Sequence, residues 1–550
     1  MEAVEAEPHG GATRTLAAAL LLLAAMVWLE PAGSGLAEPD ETRYAEIPRE
    51  MLAAGDLVVP RLNGVPYFEK PPLLYWVNAA SLQLFGETPW AARLPTRVAG
   101  MGTVLLIILE ARRRRGGGLP AGIFFLAAPI GFLFSRANLT DGLLTFCFTA
   151  TLLAARAAVL RRENGRAWAV LSAIAGASAA AGFLTKGLVA VVLPGAILLV
   201  WALATKRIPI LLRTLLLSPA PLVFAALAGP WFLAVERRHP GFLDFFFIGE
   251  HVRRFATASA KRPGGIQYFV PVFVLGFLPG LPFFVAGAAR TLRRRKEDEG
   301  GLFYIFWFGV VFVFFSLSRS KLPPYLLPAI PAAALLAARG AEENGRARRL
   351  WIVQACLATA LAAGLLAAPE LRESVRALRL QGLVAPALAL LVVASWLAVL
   401  LAAQARTAAL AALAVAWASF FAAVALGWPK TPQARLSTDL AEAARSAGAG
   451  RIPVVAFRNY VNGLSWELRS PIPVADFRGE LEPEFETRQS VREAFFWTKK
   501  KFWSKWRSEP LIVLVRLKDL VPLMTATPPA RVVGYSGRYA IVANFPEGNP

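Results

Sequence analysis

The chain has 550 residues, 56% hydrophobic and 17% charged, with a formal net charge of +22 and a mean hydropathy of +0.49. This balance excludes a string of soluble domains with separate cores. The basic excess does not mark a nucleic-acid-binding protein either, because it lies mainly in short loops between long apolar runs.

In chain order, thirteen apolar segments are long enough, or nearly so, to cross a hydrocarbon core of about 30 Å as helices of about 20 residues. They fall at about 16–36, 97–110, 119–134, 141–160, 167–185, 187–205, 214–236, 266–289, 302–317, 324–338, 350–368, 383–402 and 407–427. The first ends in small residues near Ala32–Gly35 but is read as a retained anchor, not a cleaved signal peptide. Basic clusters recur after every second segment: Arg112–Arg115, Arg161 with Arg162, Lys206 with Arg207, Arg293–Lys296, and Arg346 with Arg348 and Arg349. The positive-inside rule makes those loops cytoplasmic. A cytoplasmic N-terminus and an odd span count then place residues 37–96 and everything after Trp428 outside. The expected fold is mainly α, a polytopic membrane domain over 1–427 that includes the outer loop, followed by a small extracytoplasmic α/β domain over 428–550. Cys147 and Cys356 each lie within an apolar run and are read as buried free thiols, not a disulfide.

The outer loop predicts a helix from Pro39-Asp40 to about Ala54, ended by Gly55, with Pro48 breaking or kinking it. An extended stretch over 56–67 turns at Asn63-Gly64, and Lys70-Pro71-Pro72 leads into a second helix from about Leu73 to Phe85. Beyond Trp428, extended runs at 452–457, 511–517 and 531–543 alternate with helical patterns at about 438–447 and 489–506. The last of these mixes Phe495, Phe496, Trp497, Phe502, Trp503 and Trp506 with Lys499, Lys500, Lys501 and Lys505. That mixture suits either a lipid headgroup layer or this domain's core. There is no P-loop, dinucleotide fingerprint or HExxH zinc motif.

The loop concentrates Asp40, Glu41, Arg43, Tyr44, Glu46, Glu69 and Lys70, more polar chemistry than a tether needs. A carboxylate beside Arg and Lys can orient or deprotonate an attacking hydroxyl, although Asp is also favoured at any helix start. Asn138, Asp141, Lys186, Glu250, His251, Arg253, Arg254, Arg319 and Lys321 lie at the predicted outer ends of spans. Positive charge on that face departs from the topology rule, and an anionic ligand such as a phosphate explains it. Any single Arg there could equally snorkel toward phospholipid headgroups.

The run Pro39-Asp40-Glu41-Thr42-Arg43-Tyr44-Ala45-Glu46-Ile47, with Gly55-Asp56, Asn63-Gly64 and Tyr67-Phe68-Glu69-Lys70-Pro71-Pro72-Leu73, closely resembles the first outer loop of the aminoarabinose transferase and protein mannosyltransferase superfamily of polytopic GT-C glycosyltransferases. Leu139-Thr140-Asp141, Thr185-Lys186-Gly187, Gly249-Glu250-His251-Val252-Arg253-Arg254-Phe255 and Ser318-Arg319-Ser320-Lys321-Leu322-Pro323-Pro324-Tyr325 extend the resemblance over about the first 340 residues. The resemblance implies an inverting glycosyltransferase of the bacterial inner membrane, with active site and C-terminal domain on the periplasmic side. It implies an undecaprenyl-phosphate-linked sugar as donor, and lipid A, another glycolipid or a protein as acceptor. Asp40 and Asp141 are then the candidate catalytic carboxylates. Lys70, Lys186, Arg253, Arg254, Arg319 and Lys321 are candidate contacts to the donor phosphate, and Arg43, Tyr44, Tyr67 and Tyr325 candidate substrate-binding residues. No cofactor is required, but Glu69 and His251 together could hold a zinc ion. The alternative from another class is a lipid-linked sugar flippase, which would place its charges near the bilayer midplane.

Overall fold

The computed structural model describes residues 9–112, 118–253, 264–342, 347–377, 380–477, 479–481 and 493–546. The chain divides into two compact units. One comprises Met1–Leu29, Thr96–Leu233 and Leu243–Gly427; the other comprises Glu30–Pro95, Ala234–Phe242 and Trp428–Pro550. The division falls after Gly427, and the outer loop, expected as part of the membrane domain, groups with the segment from Trp428 onward.

The first unit is helical. Among the described residues nine helices are long and apolar enough to cross a membrane, or up to eleven if two bent pairs each count as one span. The bends have a covalent cause. Leu119–Ala127 and Pro129–Arg136 meet at 80°, and Ile266–Gly276 meets Leu278–Arg293 at 78°. A proline stands at the start of the second helix of each pair, where its missing N–H costs nothing: Pro129 follows Ala128, which is extended at φ −68° and ψ 123°, and Pro279 is the second residue of a 3₁₀ turn entered from the non-helical Phe277 at φ −124° and ψ 21°. The two remaining expected spans are shorter helices, Val189–Ala204 and, after a proline-rich 3₁₀ stretch, Ile330–Ala341. The core holds large fully buried side chains, among them Trp201, Trp307, Trp351 and Trp417. Helices Leu281–Arg293 and Ile330–Ala341 pack backbone to backbone through Gly287 and Gly340. A Cβ on either would strike a carbonyl of the facing helix.

The second unit begins with the loop. Its helix runs Asp40–Ala54 and ends at Gly55 in the left-handed conformation, φ 62°. Pro48 does not break it. The acceptor that Pro48 cannot serve is the Tyr44 carbonyl, and Asn78 Nδ2 donates to it instead at 2.9 Å from the fully buried Leu73–Phe85 face. Strands β1 (Arg61–Leu62) and β2 (Val65–Pro66) form a minimal hairpin. Asn63 and Gly64 turn it with φ 54° and 79°, the left-handed pair that such a turn needs. The C-terminal segment contributes a six-stranded mixed sheet from β3 (Val454–Phe457), β4 (Val474–Ala475), β5 (Phe496–Trp497), β6 (Ile512–Arg516), β7 (Arg531–Ser536) and β8 (Tyr539–Ala543). The order is β5-β4-β3-β6-β8-β7, parallel up to β6 and antiparallel from β6 through β8 to β7.

Two expectations for this segment change. The run 531–543 is a hairpin, not one strand, because Gly537 turns it at φ 56°. In the region read as a helix from 489, residues 489–492 lie outside the described residues, and Phe496–Trp497 is a strand preceding the Lys499–Ser508 helix. Phe502 and Trp506 are fully buried and Trp497 is 9% exposed, packed with Phe457, Val513 and Val542, so this aromatic pattern is the domain's core.

Candidate functional site

Asp40 is the first residue of its helix, with a side chain 38% exposed. Arg43, nearly one turn on and buried, places Nη2 3.5 Å from Asp40 Oδ1. Its Nη1 donates to the Tyr67 hydroxyl at 3.1 Å and lies 3.9 Å from Glu69 Oε2. Lys70 Nζ is 3.6 Å from the same Glu69 oxygen and donates to the Glu69 carbonyl at 3.0 Å. The four charges therefore alternate in sign, with a buried guanidinium holding two partly exposed carboxylates in fixed directions. Burial pushes the hydroxyl pKa of Tyr44 and of Tyr67 well above the ordinary tyrosine value, so both remain protonated donors.

The supporting shell explains why short segments hold this arrangement. Glu50 accepts from the backbone N–H of Asn63 at 2.6 Å and of Gly64 at 2.8 Å, clamping the turn from which Tyr67, Glu69 and Lys70 follow. Burial first, then neighbouring Glu46, pushes the Glu50 carboxyl up to about 7. Arg49 donates to both Glu46 oxygens, at 2.7 and 2.6 Å. Asn63 is tied to the C-terminal segment by a reciprocal pair: its Nδ2 donates to the Ile472 carbonyl at 2.8 Å and its Oδ1 accepts from the Ile472 N–H at 2.7 Å. Arg93 donates from Nε and Nη2 to the Glu41 carboxylate at 2.9 and 2.7 Å, and from Nη1 to Glu30 at 2.6 Å.

The helical unit contains a separate cluster. Asp141, in the first turn of Thr140–Glu163, accepts from Lys186 Nζ at 2.6 Å. Lys186 closes the helix Ala169–Lys186 and stands 4.7 Å from the Tyr325 ring centroid, a cation–π contact. Lys321 is buried and its ammonium turns back on its own loop, donating to the carbonyls of Phe315 at 3.3 Å, Ser316 at 2.7 Å and Ser318. Arg319 is exposed. The side chains of His251 and Arg253, and Arg254 entirely, lie outside the described residues. Glu69, paired with His251 as a zinc candidate, is engaged by Arg43 and Lys70. Among the described residues no group of three or more His, Cys, Asp or Glu could hold a metal ion.

Sequence reasoning missed the buried partners. Arg93, Asn78 and Glu50 each read as ordinary polar residues in or beside a helix. Their roles depend on partners 13 to 63 positions away, and the single local signal is Pro48, which demands a substitute donor somewhere.

Residues 69–233 match the family model for dolichyl-phosphate-mannose-protein mannosyltransferase. The undecaprenyl phosphate-alpha-4-amino-4-deoxy-L-arabinose arabinosyl transferase of Edwardsiella ictaluri is 35% identical over 331 residues, 58% of this chain and 58% of that relative. The enzyme of the same name from Yersinia enterocolitica is 33% identical over 332 residues, 60% and 59% of the two chains. The chain thus matches less than two thirds of these curated relatives' length. The crystal structure of ArnT from Cupriavidus metallidurans bound to undecaprenyl phosphate superposes with a TM-score of 0.82 at 28% identity, covering 98% of this chain and 99% of that one. Its apo form gives 0.81 at 29% identity, with 98% of each chain covered. Agreement over 98% of the chain at 28–29% identity gives this protein the ArnT-like GT-C fold of polytopic glycosyltransferases.

Proposed function

We propose that this chain transfers a sugar, 4-amino-4-deoxy-arabinose or a close relative, from undecaprenyl phosphate to an acceptor glycolipid such as lipid A. The site would lie at the periplasmic face of the bacterial inner membrane. The observation that carries the reading is the Asp40–Arg43–Glu69–Lys70 cluster on the first loop, in a chain whose fold matches that of a transferase crystallised with undecaprenyl phosphate.

In the reaction, an acceptor oxygen forms a new bond to the anomeric carbon while the bond from that carbon to the donor phosphate breaks. A single displacement inverts the configuration. The electron pair leaves with the lipid phosphate, already a stable anion, so the site needs cations to hold the departing charge more than it needs an acid. Lys70 supplies such a cation. Asp40, oriented by Arg43, accepts the proton of a hydroxyl acceptor, or orients the acceptor when that group is itself a phosphate. Arg319, Lys186, Arg253 and Arg254 are proposed as further contacts to the donor, and Asp141 as the residue that positions Lys186.

The test is transfer of radiolabelled sugar from undecaprenyl-phosphate donors to membrane acceptors, with lipid and protein fractions counted separately. Wild type is compared with Asp40→Asn at equal expression. Transfer to the lipid fraction should fall about 10²- to 10⁴-fold, the range for loss of a positioned proton-transfer group. Equal transfer in both, or none from either across a broad donor panel, would overturn the reading in favour of a flippase. Label in the protein fraction would make the acceptor a protein.

A further inference from the structure

The second unit contains a cavity of about 560 Å³ that the reaction described above does not use. Its size suits a small organic ligand, since such sites run from about 300 to 1,000 Å³. Besides Pro432, Gln433 and Leu436 at the start of the helix Pro432–Ser446, three groups of residues line it. Glu38 and Pro39, the two residues before Asp40, form one wall. Tyr460 and Phe477 form a second, and the β6 end at Arg516 with the β7–β8 turn at Arg538 and Tyr539 a third.

The cavity's charge is unbalanced. Among the described residues neither Arg516 nor Arg538 makes a salt bridge, and the Arg516 Nε is buried without a hydrogen-bond partner. Arg538 is exposed and lies over the Tyr539 ring at 5.5 Å. Among the described residues Glu38 is the single carboxylate in the lining, and it is already engaged: it accepts from Ser437 Oγ at 2.8 Å and from the Gly463 N–H at 2.5 Å. It therefore does not compensate the two guanidinium groups. A buried donor left unpaired costs about 1–3 kcal/mol, and a bidentate anion beside it removes that cost. Aromatic side chains at Tyr460, Phe477 and Tyr539, with Gln433 also in the lining, supply the apolar and hydrogen-bonding groups that a sugar ring needs.

We propose that this cavity binds a phosphorylated saccharide, the headgroup portion of the acceptor, with Arg516 and Arg538 on the phosphate and the aromatic residues against the ring. The inference rests on the transferase reading and deepens it. Glu38 and Pro39 tie the cavity wall to the start of the Asp40 helix, so an occupant would be held within the same unit as the carboxylate that handles the acceptor.

The test uses the purified full-length protein in nanodiscs and glucosamine 6-phosphate as probe, with glucosamine and inorganic phosphate as comparison ligands, by titration calorimetry. The expected result is saturable binding of the phosphosugar at least tenfold tighter than either comparison ligand. Arg538→Gln, a change at an exposed position that leaves folding intact, should weaken it at least tenfold, and Arg516→Gln likewise. Binding of undecaprenyl phosphate, titrated in parallel, should stay unchanged in both variants. No saturable phosphosugar binding, or binding unaffected by both substitutions, would overturn the proposal. Inorganic phosphate bound as tightly as the phosphosugar would overturn its saccharide part. Donor binding and Asp40-dependent transfer are measured separately, so failure here is distinguishable from failure of the transferase reading.

Discussion

Pro48 poses a problem that one distant side chain solves. A proline inside a helix removes one backbone donor and costs about 3 kcal/mol or more when nothing compensates. Here the freed Tyr44 carbonyl accepts from Asn78 Nδ2, and both partners are buried. Asn78→Ala should therefore leave that carbonyl unsatisfied and destabilise the protein by about 1–3 kcal/mol. In a Pro48→Ala background the helix regains its own N–H at this position, so the same Asn78→Ala change should cost less. Thermal melts of the two single variants, the double variant and wild type complete the cycle. Equal cost in both backgrounds would show that Asn78 acts through packing and not through the Tyr44 carbonyl. The helix was legible in the sequence because Pro39, Asp40 and Gly55 are local signals. Its passage through Pro48 was not, because the compensating donor lies 34 positions away.

At the scale of elements, the loop is held by a carboxylate that titrates near neutrality. Glu50 clamps the Asn63-Gly64 turn between β1 and β2, and burial followed by Glu46 raises its pKa to about 7. Arg49 on the same helix lowers it in part, and the Tyr460 hydroxyl is raised by burial first and then by Glu50 and Glu46. Because the folded value lies above the ordinary 4.5, the folded state holds a proton that the unfolded chain has lost between about pH 4.5 and 7. Stability from this group therefore rises as pH falls through about 7, and is fully gained near 4.5. Melting temperatures at pH 5, 6, 7 and 8 should decline toward pH 8 in wild type, and the decline should shrink in Glu50→Gln. An identical slope in the variant would assign the dependence to another group. The Asn63-Gly64 turn itself was plain from sequence, since few pairs accept two successive left-handed residues. The clamp was not, because a Glu in a helix carries no mark of what its carboxylate meets. The aromatic run at 497–506 had two physical readings on composition alone, and packing of Phe502 and Trp506 beneath the sheet decides for the core.

For the whole molecule, hydropathy located the thirteen apolar segments of the membrane unit, because an apolar stretch of span length has few other uses, but not its short helices Ile208–Leu216 and Pro369–Ala377. Hydropathy could not foresee the bends at Pro129 and Pro279, or that residues 30–95 group with residues 428–550, which depends on contacts such as Asn63 with Ile472 and Glu38 with Ser437. Orientation is a separate physical question, governed by where the basic loops sit. The clusters around Arg161, Arg207 and Arg294 predict that those loops are cytoplasmic, and hence that the Asp40 loop and the β7–β8 hairpin are periplasmic. A background in which Cys147 and Cys356 are replaced by alanine, with one cysteine then introduced at Asn164, Lys296, Asp476 or Arg538, tests this directly. In spheroplasts a membrane-impermeant maleimide should label positions 476 and 538, and should reach 164 and 296 only after permeabilisation. The reverse pattern would put the Asp40 cluster on the cytoplasmic side, where a site for acceptors of the outer leaflet has no access to them, and the transferase reading would lose its proposed acceptor.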